Sequence, residues 1–127
     1  MMTRIASTLL LALLASAPAV AHHAFSMFDQ KKQILLEGEI KEFQWANPHV
    51  WVQLLVTQPD GKVVEWSIEG SSPNGLRRQG WTSKSLLPGM KVKLLTNPLK
   101  NGEPGGSLVN VTLPDGSLLG RRVDPND

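Results

Sequence analysis

Hydrophobic and polar residues alternate along the middle of the chain, which is the pattern of β-strands with one buried face. The first such segment, residues 34–45 (ILLEGEIKEFQW), places Leu36, Gly38 and Ile40 on one face and charged side chains on the other. A glycine inside a strand marks a sharp bend or a bulge. We therefore predict a strongly bent first strand, with the bend at Gly38.

Two further alternating segments follow, and a turn separates them. Residues 49–56 (HVWVQLLV) put aliphatic side chains on one face and His49 and Trp51 on the other. Residues 59–62 (PDGK) carry the Asp-Gly signal of a β-hairpin. Residues 63–70 (VVEWSIEG) alternate again. These segments predict the second and third strands, joined as a hairpin.

The pattern changes in the segment SSPNGLRRQGW. Ser72 suits the N-cap position of a helix, Pro73 suits its first position, and Gly80 marks its end. We predict a helix of two turns at most. Residues 90–95 and residues 107–113 then predict two more strands, and the segment PDGSLL allows a last hairpin arm.

The predicted order is three strands, one short helix and two or three further strands. This is the order of a five-stranded OB-type barrel, in which the helix lies between the third and fourth strands, and a strongly bent first strand suits its closure. We therefore predict an all-β protein: a small OB-like barrel of five to six strands with one short helix between strands three and four. A small open sandwich is the alternative topology.

The first residues have the composition of a secretory signal peptide. A short basic stretch to Arg4 precedes a mostly apolar run over residues 5–16, and small residues follow up to Ala21 in the pattern that signal peptidase reads. The run is shorter than the roughly 20 residues that cross a bilayer. We predict a signal peptide over residues 1–21, cleaved after Ala21, with cleavage after Ala19 as the alternative.

Cleavage at this point leaves three parts of the chain. These are an N-terminal arm over residues 22–33, the barrel domain over residues 34–120 and a polar tail over residues 121–127. The chain has no cysteine, which excludes disulfides and a lipid-bearing cysteine. No second apolar run has the length of a transmembrane anchor. We therefore predict a periplasmic or secreted protein held together by its apolar core.

The charge balance argues against a nucleic-acid partner. The 127 residues carry 13 Lys and Arg and 11 Asp and Glu, a formal net charge of +2 at pH 7. One of the basic residues, Arg4, belongs to the predicted signal peptide. Domains that bind nucleic acid concentrate basic side chains on one face. We expect a small ligand or an envelope protein as the partner and leave the oligomeric state open.

Four segments of the chain resemble those of a known family. The segments AHHAFSMFD, WANPHVWVQL, EGSSPNGLRRQGW and LLPGMKVKL are similar to a family of small secreted bacterial proteins of unknown function. The resemblance covers almost the whole chain after the predicted cleavage point. It implies export and a compact β domain. It implies no activity, substrate or ligand, so the candidate sites rest on the residues themselves.

A candidate metal site lies at the predicted new N-terminus. Cleavage after Ala21 gives His22 a free α-amine, which can chelate a metal ion together with the ring Nδ1. An imidazole from His49 or His23 would complete an all-nitrogen set, which favours Cu(II). We therefore name His22, His23 and His49 as candidate Cu(II) ligands. The alternative is that the terminal histidines have no role and His49 bonds a backbone group.

A second candidate site needs no metal. OB barrels often bind sugars or bases on strands two and three, where aromatic side chains form stacking platforms. Arginines on the short helix can bind a carboxylate or a phosphate. The candidate ligand-binding residues are Trp45, Asn47, Trp51, Asn74 and Arg77. The alternative is that the tryptophans fill the core and the arginine faces solvent.

The sequence contains no arrangement typical of an enzyme, such as a nucleophile elbow or a Ser-His-Asp triad. The predicted function is that of an exported small β-barrel binding protein that binds copper through its mature N-terminal histidine. The alternative is a metal-free module that binds a ligand or a protein partner through the face of strands two and three that carries Trp51.

Overall fold

The alternating segments form six strands and one short helix in the computed structural model, which describes residues 26–124. The strands are β1 (Ile34–Gln44), β2 (Trp51–Thr57), β3 (Val63–Glu69), β4 (Lys91–Pro98), β5 (Gly105–Thr112) and β6 (Leu118–Gly120), and the helix α1 (Pro73–Arg78) lies between β3 and β4. The predicted all-β class and the place of the helix are therefore confirmed. The predicted signal peptide, the start of the arm and the end of the tail lie outside the described residues.

The strands form one sheet that closes on itself. Hydrogen-bonded neighbours follow the order β3-β2-β1-β4-β5-β6, and β3 also pairs with β5. This last pairing is parallel and matches residues 67–69 with residues 105–107, whereas the other five pairings are antiparallel. Because it joins both ends of the five-stranded part, β1–β5 form a closed barrel with β6 as an extra strand. The predicted OB-like barrel is confirmed.

β1 bends so that it belongs to both halves of the barrel. Its first half pairs with β4 and its second half with β2, and Glu39 has partners in both. The register with β2 shifts between Ile40 and Glu42, so the bulge lies just after Gly38. A Cβ on Gly38 would lie 2.5 Å from the carbonyl oxygen of Leu55. The glycine therefore permits a close approach of β1 and β2.

The apolar faces of the strands meet inside the barrel. Leu36 and Ile40, predicted to share the buried face of β1, are 6% and 1% exposed. The helix and the loop after it add side chains to the same core. The buried cluster consists of Leu36, Ile40, Val50, Val52, Leu54, Ile68, Leu76, Trp81, Leu86, Val92, Leu94 and Val111.

The helix α1 begins and ends as its sequence predicts. The Ser72 hydroxyl accepts a hydrogen bond from a backbone N–H of the first turn at 3.1 Å, and Pro73 follows at the first position. Gly80 has a φ of +90°, which glycine adopts without strain. This turn leads Trp81 into the core. No helix within residues 26–124 has the length and apolar character needed to cross a bilayer.

The described part of the N-terminal arm is bound to the end of β4. Phe28 is 7% exposed and forms an isolated β-bridge just beyond β4. The Asp29 N–H donates to the Pro98 carbonyl at 2.8 Å. The buried amide of Asn97 donates to the Lys32 carbonyl, also at 2.8 Å. These contacts fix the direction from which the arm reaches the barrel.

Candidate functional site

A cleft lies where β3 and β5 separate. Their parallel pairing ends at Glu69, after which the chain turns into α1 while β5 continues. The cleft has a volume of about 580 Å³, within the range of about 300–1,000 Å³ that is typical of small-molecule sites. His49 and Glu69 line it, together with apolar side chains. These apolar residues are Phe28, Leu76, Trp81, Leu108 and Val109.

His49 lies beside the end of β3 because backbone hydrogen bonds join the residue just before β2 to the residues just after β3. The Val50 N–H donates to the Ser71 carbonyl at 3.0 Å, and the Gly70 N–H donates to the Val50 carbonyl at 2.8 Å. A Cβ on Gly70 would lie 2.5 Å from Val50 Cγ2, so a glycine is required for this approach. The approach brings the His49 ring to the Gly70 carbonyl.

The His49 ring is oriented by one hydrogen bond to a backbone group, a bond that the alternative to a metal site predicts. Its Nδ1 lies 3.2 Å from the Gly70 carbonyl oxygen. A carbonyl oxygen only accepts, so Nδ1 carries the proton and donates, and Nε2 of the neutral ring presents a lone pair. Histidines that bind metals commonly donate their other ring N–H to a backbone carbonyl in this way. The His49 side chain is 46% exposed, so part of the ring is open to solvent.

The carboxylate of Glu69 lies next to this ring. Its Oε1 is 3.8 Å from His49 Nε2, which is longer than a hydrogen bond. The register of the β2–β3 hairpin pairs Glu69 with Trp51, and His49 is two residues before Trp51. In the neutral ring the proton is on Nδ1. The lone pair of His49 Nε2 and the oxygen Oε1 of Glu69 therefore lie side by side, and neither atom carries a hydrogen that it could donate to the other.

His49 and Glu69 supply only part of a metal site. Within residues 26–124, no three His, Asp or Glu side chains come together in a group that could hold a metal ion. A metal bound at His49 would thus need ligands from elsewhere. His22 and His23, the other predicted ligands, lie outside the described residues.

Three of the predicted ligand-binding residues form a cluster outside the cleft. The guanidinium carbon of Arg77 lies 5.6 Å from the centroid of the Trp45 ring, a cation–π distance. Arg77 Nη1 donates to Asn74 Oδ1 at 3.1 Å. Trp45 also packs edge-on against Phe43, with 5.6 Å between the ring centroids. These contacts join α1 to the end of β1.

The other two predicted ligand-binding residues, Asn47 and Trp51, do not belong to this cluster. Asn47 is exposed in the β1–β2 loop, and Trp51 is half-buried at the start of β2. Of the described residues named from the sequence, His49 is the one that lines the cleft. Glu69 and the apolar walls were not predicted as site residues. The sequence signal that could have placed Glu69 near His49 is the hairpin turn at residues 59–62, because the turn fixes which residues of β2 and β3 face each other.

Comparison with known proteins gives one family match. No curated protein matches the chain. Among solved structures, the chain is similar to the mitochondrial single-stranded DNA binding protein Rim1 from S. cerevisiae, with 12% sequence identity, a TM-score of 0.48, and coverage of 68% of this chain and 97% of that chain. The model of the family of unknown function DUF6152 matches residues 10–108. The chain therefore belongs to the DUF6152 family, whose function is unknown.

Proposed function

We propose that this chain is exported, is cleaved after Ala21, and binds Cu(II) through its mature N-terminus and His49. His22 supplies its α-amine and ring Nδ1, and His49 supplies Nε2. His23 is a further nitrogen ligand, either beside His49 or in its place. The observation that carries the proposal is the hydrogen bond from His49 Nδ1 to the Gly70 carbonyl, because it leaves Nε2 of the half-exposed neutral ring with a free lone pair.

The place where the described part of the N-terminal arm meets the barrel supports this pairing of ligands. Phe28 and Gln30 line the same cleft as His49. His22 is six positions before Phe28, and six residues of extended chain span at most about 20 Å. Phe28 and His49 line one cleft, and in this proposal the six residues before Phe28 carry His22 to the His49 ring.

The donor set suits Cu(II) in three respects. An amine and two imidazoles form an all-nitrogen set of the kind found in tetragonal Cu(II) sites. The ordinary pKa of an α-amine is about 7.7–8.0, so a metal ion displaces its proton near neutral pH. The hydrogen bond to Gly70 holds the His49 ring in one orientation, which strengthens Nε2 as a ligand.

One added residue before His22 is expected to lower the Cu(II) affinity by more than about tenfold. Mutating a residue that only supports a metal ligand already costs about 10–100-fold, and here a ligand itself is lost. The added residue turns the α-amine of His22 into an amide and breaks the chelate ring. His49→Ala is expected to weaken binding as well, because it removes an imidazole. Both affinities are measured by competition with a coloured chelator, on protein whose N-terminus has been verified by mass spectrometry after export by its own host.

Gln79→Ala is the matched control. Gln79 lines the same cleft with an exposed side chain that has no imidazole, so its loss should leave the Cu(II) affinity unchanged. If protein with one added residue before His22 binds Cu(II) as tightly as protein that begins at His22, the proposal is contradicted. An exported chain that begins at any residue other than His22 contradicts it too.

A second candidate function, the binding of a small molecule without a metal, is favoured by the cleft itself. Its volume and its apolar walls are typical of ligand sites, whereas Trp51 lies outside it. The His49 and Glu69 acceptors at its edge suit a ligand with an apolar body and a hydrogen-bond donor.

Leu108→Trp is expected to weaken binding of the neutral dye N-phenyl-1-naphthylamine, because the larger ring fills the cleft that Leu108 lines. Leu35→Trp is the control, since Leu35 is 57% exposed on β1 and the same change there leaves the cleft open. Dye fluorescence gives both affinities. Equal affinities contradict binding in the cleft, and weaker binding by Trp51→Ala instead would assign the site to the outer face of β2 and β3.

A further inference from the structure

Glu69 differs from its neighbouring carboxylates in what lies beside it. Within residues 26–124, lysine side chains lie within 4.0 Å of three other carboxylates, those of Glu37, Glu39 and Glu65, whose side chains are 42–70% exposed. The Glu69 side chain is 20% exposed, and the group near it is the His49 ring at 3.8 Å. Of these four carboxylates, the least exposed one thus has an imidazole and not a lysine within 4.0 Å, and removal from water makes an unpaired charge costly.

The distance between the two groups suits a shared metal ion. Imidazole nitrogen and carboxylate oxygen bind such ions at about 2.0–2.2 Å. Two ligands at that distance lie about 2.9 Å apart at a right angle and about 4.2 Å apart on opposite sides of the ion. The 3.8 Å between His49 Nε2 and Glu69 Oε1 lies between these two distances, so a small side-chain rotation is needed to bring the pair to the right angle of a tetragonal site.

We propose that Glu69 Oε1 is a ligand of the metal ion that His49 binds. This inference rests on the proposed function and adds one oxygen to its nitrogen ligands. The ladder between β2 and β3 fixes Glu69 opposite Trp51, and Gly70 holds the His49 ring at the end of that ladder. The backbones of both residues are therefore held by strand pairing before any metal binds.

An anionic oxygen changes which oxidation state of copper the site prefers. Cu(I) is selected by soft sulfur ligands, whereas carboxylates suit harder cations. A carboxylate charge also attracts a dication more strongly than a monocation. Glu69 should therefore stabilise Cu(II) relative to Cu(I), which makes the site one that holds oxidised copper.

Glu69→Gln tests this directly, because glutamine keeps the size and one carbonyl oxygen but removes the charge. The Cu(II) affinity is expected to fall about tenfold more than the Cu(I) affinity, because the lost charge attracts a dication more strongly than a monocation. For this one-electron couple, a tenfold change in relative affinity raises the reduction potential by about 59 mV. The measurements are competition titrations for each oxidation state, voltammetry, and electron paramagnetic resonance of the Cu(II) form.

Two further variants serve as controls. Glu65 lies on β3 as Glu69 does, but Lys41 Nζ donates a hydrogen bond to its carboxylate at 3.0 Å. Glu65→Gln should therefore leave the Cu(II) affinity, the Cu(I) affinity and the reduction potential unchanged. Glu69→Asp keeps the charge on a shorter side chain and should retain part of the preference for Cu(II). Circular dichroism establishes that each variant is folded.

The outcomes separate the inference from the proposed function. If His49→Ala weakens Cu(II) binding and Glu69→Gln does not, Glu69 is not a ligand and the proposed function stands. If Glu69→Gln lowers the Cu(II) and Cu(I) affinities equally, Glu69 only positions the His49 ring, which also overturns the inference. If neither variant nor an added residue before His22 changes Cu(II) binding, the proposed function itself fails.

Discussion

Replacing Trp81 with alanine is expected to lower the free energy of unfolding by about 3–5 kcal/mol, as large-to-small changes of buried aromatic residues do. Trp81 is 1% exposed and belongs to the core cluster. Its ring centroid lies 6.1 Å from that of Phe43, and the residue also lines the cleft. Alanine would remove these contacts and leave a cavity beside the cleft. Denaturant unfolding followed by circular dichroism measures the effect.

Trp81→Phe separates the ring from its polar atom. The indole Nε1 is buried, and among the described residues it has no hydrogen-bond partner. An unsatisfied buried donor costs about 1–3 kcal/mol, so its removal offsets part of the packing lost with the smaller ring. We expect the phenylalanine variant to lose less than half as much stability as the alanine variant. A loss in Trp81→Ala no larger than that in Leu35→Ala, at a position 57% exposed, would contradict the assignment of Trp81 to the core.

The strands and the helix could be predicted because their signals are local. Alternation with a period of two identifies the face of β1 that bears Leu36 and Ile40, and both are buried. The start of α1 depends on adjacent residues, Ser72 and Pro73, which can be recognised without knowing what the helix packs against.

The bulge in β1 shows where local signals end. A glycine in a strand is compatible with a bulge or with close packing, and the sequence alone does not distinguish them. In the fold, Gly38 faces the Leu55 carbonyl and the register shifts two residues later. The function of the glycine therefore depends on which strand lies beside it.

The candidate site could be predicted only in part for the same reason. His49 can be chosen from the sequence because it is one of three histidines. Its pairing with Glu69 depends on the hairpin register and on the close approach at Gly70. The cleft depends on the place where β5 leaves β3, a pairing between strands that are distant in sequence. The predicted fifth strand begins at residue 107, so Gly105 and Gly106, which form that pairing, lie outside it.

Gly106→Ala is expected to destabilise the barrel by about 3 kcal/mol or more, since it overpacks a buried position and disturbs a hydrogen bond there. Gly106 pairs with Ile68 on β3 and with Pro98 on β4, so it lies in the seam that closes the barrel. A Cβ there would overlap Thr96 Oγ1 and would lie 2.5 Å from the Asn97 carbonyl oxygen. One of these contacts is with backbone, so rotation of a side chain cannot relieve it.

The hydrogen bond at risk is the one that Thr96 makes across the β4–β5 pair. Thr96 is fully buried, and its Oγ1 donates to the Ser107 carbonyl at 2.8 Å. A methyl group on Gly106 must displace this hydroxyl or push β5 away from β4. Ser107→Ala is the matched control, because it removes a hydroxyl at the next position without adding an atom, and it should change stability by less than about 1 kcal/mol.

A double-mutant cycle with Thr96→Ala tests the cause. Thr96→Ala alone loses the hydrogen bond but also removes the nearer of the two obstacles. Gly106→Ala should therefore cost less in that background than in the native chain, while the clash with the Asn97 carbonyl keeps part of the cost. Unfolding midpoints of all four proteins in denaturant provide the comparison. If Gly106→Ala lowers the free energy of unfolding equally in both backgrounds, Thr96 is not what excludes a side chain from the seam. If the Gly106→Ala protein is as stable as the native chain, β3 and β5 do not need this close approach to close the barrel.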